Sequence, residues 1–206
     1  MDTVDSDLDR ANDIRAELLV LARGHRPFDE VERAHQMAII DWLSLAGPDL
    51  ADQNPFDRNA FQPGHATGSC MVLGSDGRAA LIFHRNLKLW VQPGGHAEPG
   101  EFDPGAVAAR EASEELGVDV SASAVELFDL DVHRIAARGD TPAHTHYDFR
   151  YLAVIDPVDL APSTDAAEAR WLTRPEIAAI GVDAGVRRMA NKAVARGLLQ
   201  STVTTS

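Results

Sequence analysis

The chain has 206 residues, of which 45% are hydrophobic and 25% are charged, and its formal net charge at pH 7 is −13. This length and composition are typical of a folded globular protein with one main domain and an appendage, and they exclude a disordered chain. The excess of negative charge argues against bulk nucleic acid as a partner, because phosphate backbones are bound by basic surfaces.

The cysteine content and the apolar runs predict where the protein resides. The only cysteine is Cys70, so no disulfide can form within the chain. No apolar run approaches the roughly 20 residues that a membrane-spanning helix needs, and the acidic N-terminus does not resemble a signal peptide. We therefore expect a cytoplasmic protein that makes no membrane contact.

The sequence pattern of residues 1–60 predicts a helical N-terminal extension. Apolar residues at helical spacing indicate a first helix over Leu8–Arg23 and a second helix that starts near Asp29 and ends at Gly47-Pro48. The apolar stripes of these two helices consist of Leu8, Ile14, Leu18, Leu19 and Leu21, and of Val31, Ala34, Ala38, Ile39, Trp42 and Leu43. A helical hairpin packed on the main domain explains this pattern, and a lid or a homodimer contact is the alternative.

The main domain is predicted over residues 61–206. The segment Asn54–Gly64 is predicted to be the linker that leads into it. The predicted strands are Ser69–Leu73, Ala79–Phe83, Leu87–Val91, Ala124–Ile135, Asp148–Ile155 and Arg170–Leu172. Helices are predicted before Gly117, from Arg174 onward and over Val186–Leu199. Strands that flank helices in this order indicate an α/β fold in which a mixed sheet lies between helical layers.

An acidic helix stands out between the third and fourth predicted strands. Asp103 is a good N-cap, Pro104 suits the first helical position, and Gly117 tolerates the positive φ that ends a helix. Glu111, Glu114 and Glu115 then stand at i, i+3 and i+4, which places all three carboxylates on one face.

Three like charges at this spacing repel one another, so the helix loses stability unless a cation lies among them. Arg110 is one such partner, because it stands four residues before Glu114. A divalent metal is the better one, since carboxylate oxygens together with Glu101 suit Mg²⁺ or Mn²⁺. The alternative is an exposed, solvated acidic helix face.

The order of these residues resembles the signature of the Nudix hydrolases, written G-x5-E-x7-R-E-U-x-E-E-x-G-U with U apolar. Here Gly95 and Glu101 are followed by the run from Arg110 to Val118, REASEELGV. One departure is that eight residues, rather than seven, separate Glu101 from Arg110. Since the helical spacing from Arg110 onward is intact, we expect the extra residue in the loop Phe102–Gly105. The segments PGHATGS, HRNLKLWVQPGGH and HTHYDFRY resemble a bacterial Nudix subgroup with the same longer motif.

The resemblance implies an α/β/α sandwich with a mixed sheet, from His65 to the C-terminal helix. It also implies roles for the residues of the motif. The metal ligands would be Glu111, Glu114 and Glu115, with Gly94 adding a backbone carbonyl and Glu101 either reaching a second metal or bracing Arg110. The catalytic residues would be Glu111 as general base, Arg110, which orients a glutamate, and Glu115. The implied cofactor is Mg²⁺ or Mn²⁺, and the implied partner is a small phosphorylated, nucleotide-derived substrate.

Histidines form a second group of candidates. Five of the eight lie in or next to the predicted sheet, namely His65, His84, His96, His144 and His146. In an extended chain His144 and His146 share one face, so the pair is suited to a transition metal or to a phosphate. We assign substrate binding to His84, His96, His144, His146 and Arg150, with solvated loop histidines as the alternative.

Other polar residues leave alternatives open. Asp148 and Arg150 alternate with apolar residues, so they lie either on the exposed side of a strand or on the wall of the substrate cleft. Basic residues give the last helix a face that we expect to be solvated, formed by Arg187, Arg188, Lys192 and Arg196. Cys70 lies in the middle of a predicted strand and is expected to be a small core residue.

The resemblance favours a metal-dependent pyrophosphohydrolase that cleaves a nucleoside diphosphate linked to another group. An isomerase of isoprenoid diphosphates shares the fold but normally needs a catalytic cysteine, for which Cys70 has no suitable context. A catalytically silent Nudix domain that senses a nucleotide metabolite is an alternative of another class. The complete set of Arg110, Glu111, Glu114 and Glu115 argues against it, because a sensor does not need three adjacent carboxylates.

Overall fold

The computed structural model describes residues 2–45, 53–164 and 166–201, with side chains from residue 10 onward. Its helices are α1 (Asp2–Gly24), α2 (Glu30–Leu43), α3 (Pro104–Leu116), α4 (Arg174–Ala179) and α5 (Ala184–Ala195). Its strands are β1 (His65–Gly74), β2 (Ala79–His84), β3 (Leu89–Val91), β4 (Gly94–Gly95), β5 (Glu126–Ile135), β6 (His144–Ile155) and β7 (Ala166–Leu172). None of the helices in the described residues combines the length and the apolar character that crossing a bilayer requires.

The strands form one mixed sheet in the order β3-β2-β1-β6-β5, with β4 beside β1 and β7 beside β2. β2 pairs antiparallel with β1, β3 and β7, and β4 pairs antiparallel with β1 so that Gly95 lies opposite Gly68. Every residue of β1 is buried, as expected of a strand in the middle of the sheet. The predicted α/β fold with a mixed sheet and a helical N-terminal extension is confirmed.

The chain divides into two compact units. One unit consists of residues up to 67 together with 96–104 and 129–149, and the other of residues 68–95, 105–128 and 150 onward. The predicted domain boundary at residue 60 stays a prediction.

In the first unit, α1 packs against α2. The buried apolar residues of the two helices are Ala11, Ile14, Leu18, Ala22, Ile39, Trp42 and Leu43. Burial of one such large side chain stabilises a fold by about 1.5–3 kcal/mol. The indole of Trp42 also stacks on the ring of Tyr147, with centroids 3.9 Å apart and planes 1° from parallel. Helix α2 is thereby joined to the strand β6, whose first residues include His144 and His146.

The buried face of α2 is shifted by about one residue from the face that the sequence predicts. Val31, predicted to be buried, is 55% exposed, whereas Glu32 is fully buried. The reason is a hydrogen-bonded network, because the Glu32 carboxylate accepts the backbone N–H groups of Phe28 at 2.5 Å and Leu130 at 3.3 Å and contacts His25 Nε2 at 2.5 Å. Helix α2 ends at Leu43, and its predicted end at Gly47-Pro48 and the side chain of Leu8 lie outside the described residues.

The second unit has an apolar core between strands and the two C-terminal helices. Its largest members are Met71, Leu73, Leu81, Trp90, Phe128, Leu152, Leu172, Ile177, Met189 and Leu199. The prediction of a solvated basic face on α5 holds for Arg187 and Arg196, which are exposed, but is wrong for Arg188 and Lys192. Lys192 is buried, and its ammonium donates a hydrogen bond to the Phe128 carbonyl and lies 5.1 Å from the centroid of the Phe128 ring.

Three strands begin earlier than the sequence predicts. β1 starts at His65 rather than Ser69, β6 at His144 rather than Asp148, and β7 at Ala166 rather than Arg170. Ala66 and Gly68 near the start of β1 are residue types that are depleted in strands, so pairing with a neighbouring strand, as of Gly68 with Gly95, decides their conformation. The consequence is that His144 and His146 lie in an extended segment and share a face, as predicted.

We expect Glu32→Ala to lower the free energy of unfolding by about 3–5 kcal/mol, because it leaves buried donors without an acceptor. Urea denaturation followed by circular dichroism measures this change. Glu30→Ala is the matched control, since the Glu30 side chain stands in the same first turn of α2 but is 87% exposed. The control should lose less than about 1 kcal/mol. Equal losses in the two variants would contradict the role of the buried network.

Candidate functional site

The acidic helix α3 begins and ends where the sequence predicts. It starts at Pro104, directly after Asp103, and it ends at Leu116, before Gly117 with a φ of 68°. Every residue from Pro104 to Leu116 is α-helical, without a π-helical turn. The helix therefore contains no bulge that could absorb the extra residue of the motif, and Arg110 and the three glutamates keep the register of an uninterrupted helix. The position of the extra residue in the loop Phe102–Gly105 stays a prediction.

Arg110 is shared between two of the carboxylates. Its Nη1 donates to Glu111 Oε1 at 3.0 Å and to Glu114 Oε2 at 3.2 Å. The Arg110 and Glu111 side chains are only 20% and 16% exposed, whereas Glu114 is 55% exposed. Partial burial strengthens these charge-assisted hydrogen bonds, so Arg110 offsets part of the repulsion on the helix and orients Glu111.

The other carboxylate contacts involve the two glycines of β4. The backbone N–H of Gly94 donates to Glu115 Oε2 at 3.0 Å. A Cβ atom at Gly95 would lie 2.3 Å from Glu111 Oε1, so any side chain there would displace the carboxylate. The glycines are needed because backbone and carboxylates approach closely. The role of the Gly94 carbonyl as a metal ligand stays a prediction.

Glu101 lies in the first unit, in the loop before α3. Its carboxylate accepts the backbone N–H of Glu98 at 2.8 Å, while its own N–H donates to the Glu98 carbonyl at 2.9 Å. These bonds hold a tight turn in which Gly100 has a φ of 96°. Glu101 is thus fixed by its own loop, and its roles as a metal ligand or as a brace for Arg110 stay predictions.

The residues on α3 fit a divalent metal. Glu111, Glu114 and Glu115 bring three negative charges to one helix face, and Arg110 supplies one positive charge against them. Carboxylate oxygens are hard ligands, and Mg²⁺ and Mn²⁺ prefer them. Because Gly95 has no side chain, the Glu111 carboxylate can lie directly against the backbone of β4.

Cys70 does not support the isomerase alternative. Its side chain is fully buried in β1, and burial raises the pKa of the thiol to about 12. A thiol with this pKa stays protonated at neutral pH, and a reactive cysteine needs the thiolate. The expectation of a small core residue is confirmed.

Two predicted substrate contacts, His84 and Arg150, lie in the second unit. His84 ends β2, and its Nδ1 accepts the backbone N–H groups of Asn86 and Leu87 at 3.2 and 3.3 Å, which closes the following turn. Arg150 is 2% exposed, and its Nη1 lies so close to the backbone of Gly185 that a Cβ there would be 2.1 Å away. The exposed-strand alternative for Arg150 is therefore wrong.

Asp148 is also buried, at 4% exposure. Its Oδ1 accepts a hydrogen bond from Thr67 Oγ1 at 3.1 Å, a contact within the first unit. The exposed-strand alternative is wrong for this residue as well, because β6 is buried on both faces along this stretch.

Four histidines of the first unit converge on one another. They are His65, His96, His144 and His146, and one ligand nitrogen from each lies within 4.8 Å of all the others. Among the residues that the structure describes, no other set of three or more histidine, cysteine, aspartate or glutamate side chains is gathered in this way. His146 Nε2 lies 3.1 Å from His144 Nε2 and 3.3 Å from His96 Nε2. We refer to these four residues as the histidine cluster.

Backbone carbonyls orient two members of the histidine cluster. His65 Nδ1 lies 3.2 Å from the Ala60 carbonyl, and His144 Nδ1 lies 2.9 Å from the Pro142 carbonyl. A carbonyl only accepts, so each Nδ1 carries the proton and each neutral ring presents a lone pair at Nε2. His65 is fully buried, and its Nε2 has no hydrogen-bond partner.

Three members of the histidine cluster, His65, His96 and His146, are held in the neutral form. Burial lowers the pKa of His65, and it lowers the pKa of His96 to about 4 and that of His146 to about 2, with the neighbouring imidazoles acting in the same direction. Desolvation disfavours the charged ring, and protonated neighbours would repel one another. At neutral pH these three rings are therefore uncharged.

The sequence named each of these histidines as a candidate but did not group His65 with the other three. Sequence separation hid the relation, because His65 begins β1 and reaches the others only through the strand order that places β1 beside β6. His84, which the sequence grouped with His96, is not part of the histidine cluster.

Comparisons with known proteins agree with the signature. Residues 63–192 match the family described as NUDIX domain. The NUDIX domain of Shewanella oneidensis NrtR, solved with ADP ribose, is similar with 14% identity over 76% of this chain and 96% of its own, and a TM-score of 0.52. The Escherichia coli dihydroneopterin triphosphate pyrophosphohydrolase is similar with 18% identity over 63% and 95% of the two chains, and a TM-score of 0.50.

A MutT/nudix family protein from Enterococcus faecalis shares 24% identity over 52% of this chain, with a TM-score of 0.41, and the chain spans only 42% of its length. No curated protein sequence matches the chain. The likenesses to the NrtR domain and to the Escherichia coli enzyme show the fold, and the family match over residues 63–192 covers more than half of the chain. The chain therefore belongs to the Nudix family.

Proposed function

We propose that the protein uses Mg²⁺ or Mn²⁺ to hydrolyse the pyrophosphate bond of a nucleoside diphosphate that is linked to another group. The observation that carries this proposal is the arrangement on α3. Glu111, Glu114 and Glu115 share one helix face, Arg110 donates to two of them, and the backbone of β4 contacts Glu111 and Glu115. Carboxylate oxygens are hard ligands that Mg²⁺ and Mn²⁺ prefer, so a helix face with three of them is suited to such an ion.

The residues on α3 and β4 have different roles in the proposed reaction. Glu111 is the general base, because it is the least exposed of the carboxylates paired with Arg110 and the donated hydrogen bond fixes its orientation. Arg110 positions Glu111 and Glu114, and the Gly94 N–H positions Glu115. Glu111, Glu114 and Glu115, with the Gly94 carbonyl and Glu101, are the ligands that we propose for the metal.

A bound divalent metal would neutralise phosphate oxygens and lower the pKa of a coordinated water. The chain's own contribution is to hold the carboxylates aligned. Arg110 orients Glu111 and Glu114 through its two hydrogen bonds, and the Gly94 N–H orients Glu115. A proton leaving the attacking water would pass to Glu111.

The nucleotide-derived substrate is proposed on the family and on its members' ligands. The NrtR domain binds ADP ribose in its structure, and a nucleoside diphosphate with a sugar attached is one substrate of the proposed class. Substrate binding by His84, His96, His144, His146 and Arg150 stays a prediction, as do a homodimer and a cytoplasmic location. The sensor remains the second candidate, and turnover of any family substrate excludes it.

A substrate screen tests the proposal directly. The purified chain is assayed with Mg²⁺ or Mn²⁺ against nucleoside triphosphates, dinucleoside polyphosphates, nucleotide sugars and ADP-ribose. We expect release of a nucleoside monophosphate from one class, with no reaction when the metal is chelated. Tight binding of a nucleotide without turnover in any class would favour the sensor instead.

We expect Glu114→Gln and Glu115→Gln each to lower kcat by a factor on the order of 10²–10⁴, because each removes a metal-binding charge that stabilises the transition state. Steady-state kinetics at saturating Mg²⁺ and Mn²⁺ measure the change. Glu17→Gln is the control, because Glu17 is exposed on α1. Folded variants of Glu114 and Glu115 that retain near-normal kcat would refute the assignment.

Gly95→Ala tests the close approach between β4 and α3. The new Cβ would lie 2.3 Å from Glu111 Oε1, so the carboxylate must move. A misplacement of about 1 Å in a catalytic group costs roughly 10²-fold in rate, and we expect kcat to fall by this amount.

Gly24→Ala is the matched control for Gly95→Ala, since a Cβ at Gly24 meets no atom within 4 Å. It should leave kcat unchanged. Unchanged kcat in Gly95→Ala would show that the position of Glu111 is not important for turnover.

A further inference from the structure

The histidine cluster brings together side chains from three separate segments of the chain. His65 begins β1, His96 follows β4, and His144 and His146 begin β6. We propose that His65, His96, His144 and His146 bind one divalent transition-metal ion through their Nε2 atoms, with Zn²⁺ favoured. This site is separate from the carboxylates of α3 and does not depend on the proposed hydrolysis.

The distances within the histidine cluster agree with a tetrahedral ion. With Zn–N bonds of about 2.0–2.1 Å, the nitrogens of a tetrahedral site stand about 3.3–3.4 Å apart. The observed Nε2–Nε2 separations are 3.1 Å between His144 and His146 and 3.3 Å between His96 and His146. All four ligand nitrogens lie within 4.8 Å of one another, so the remaining separations need to close by at most about 1.5 Å to complete the tetrahedron.

The positions of the imidazole protons give a second, independent argument for a bound cation. His65 and His144 donate their Nδ1 protons to the carbonyls of Ala60 and Pro142, so their Nε2 atoms carry lone pairs. His146 Nε2 contacts two imidazole nitrogens and can donate one proton at most. The fully buried His65 Nε2 has no hydrogen-bond partner at all. A buried acceptor without a partner is costly, and a cation between the rings satisfies every lone pair at once.

The same proton positions argue against phosphate, which is the other ligand that the sequence allows for His144 and His146. A phosphate needs donors, but the protons of His65 and His144 are already used by backbone carbonyls. Carbonyl acceptors behind ligating histidines are also the usual outer contacts of metal sites, since they fix the tautomer and the ring orientation. The geometry therefore favours a cation over an anion.

The ligand type selects the metal. Neutral imidazoles suit Zn²⁺, Cu²⁺ and Ni²⁺, whereas Mg²⁺ prefers oxygen ligands and retains its waters. Four protein ligands leave no open position in a tetrahedral Zn²⁺ site, which is the arrangement of structural rather than catalytic zinc. The ion would cross-link the start of β1, the loop that follows β4 and the start of β6, and would thereby stabilise the first unit.

Metal analysis of the full chain tests the site. After removal of metals by a chelator, the protein is titrated with Zn²⁺ in the presence of excess Mg²⁺. We expect one tightly bound Zn²⁺ per chain and a rise in Tm with Zn²⁺, because a ligand that binds only the folded state stabilises it. Co²⁺ in place of Zn²⁺ should show the intense visible absorption of tetrahedral cobalt, and X-ray absorption of the zinc form should show four nitrogen ligands.

Variants identify the ligands. His96→Gln and His146→Gln change half-buried members of the histidine cluster, and each should weaken Zn²⁺ binding by about 100-fold or more. His84→Gln is the matched control outside the histidine cluster and should leave Zn²⁺ affinity unchanged. Glu114→Gln should also retain the zinc, which separates this site from the carboxylates of α3.

Loss of Zn²⁺ in Glu114→Gln together with retention in His96→Gln would overturn the proposal. So would a wild-type chain that binds less than one Zn²⁺ or gives an octahedral Co²⁺ spectrum. The wild-type spectra decide the matter even if a histidine variant does not fold. Hydrolysis with Mg²⁺ alone is measured separately, so failure of the zinc site and failure of the proposed function have different signatures.

Discussion

Charge repulsion on one face of α3 is the constraint on which the candidate active site depends. Three glutamates within five positions destabilise a helix unless cations lie beside them, and the fold supplies Arg110 between Glu111 and Glu114. The glycines of β4 let the backbone approach Glu111 and Glu115. Three carboxylates next to closely approaching backbone form a site that suits a divalent cation, and the close approach explains the glycines.

Buried polar groups organise the first unit in a similar way. Glu32 joins the start of α2 to β5 through the N–H of Leu130, and the stacked rings of Trp42 and Tyr147 join its end to β6. The histidine cluster lies in the same unit, at the starts of β1 and β6 and after β4. The N-terminal helices are therefore part of the structure that carries the histidines, and hydrogen bonds and aromatic stacking, in addition to apolar burial, hold that structure together.

The sequence predictions were correct where the deciding interactions are local, and they failed where the interacting residues are far apart in the chain. The start of α3 at Pro104 and its end before Gly117 were predicted correctly, because capping and positive φ are local properties. The burial of Glu32 and Lys192 was not predicted, because each is held by a backbone group far away in the chain. The strand β4 was missed since two glycines carry no strand signal, and only their pairing with β1 makes them a strand.

The sequence by itself determined the α/β fold, the register of the acidic helix and the identity of the family motif, because spacing along one helix is a local property that needs no partner. Only the tertiary structure decided that His65 belongs with His96, His144 and His146, that Arg150 and Asp148 are buried, and which backbone groups orient each imidazole. The physical reason is that convergence of residues up to 81 positions apart depends on strand order, which hydrophobic periodicity does not specify.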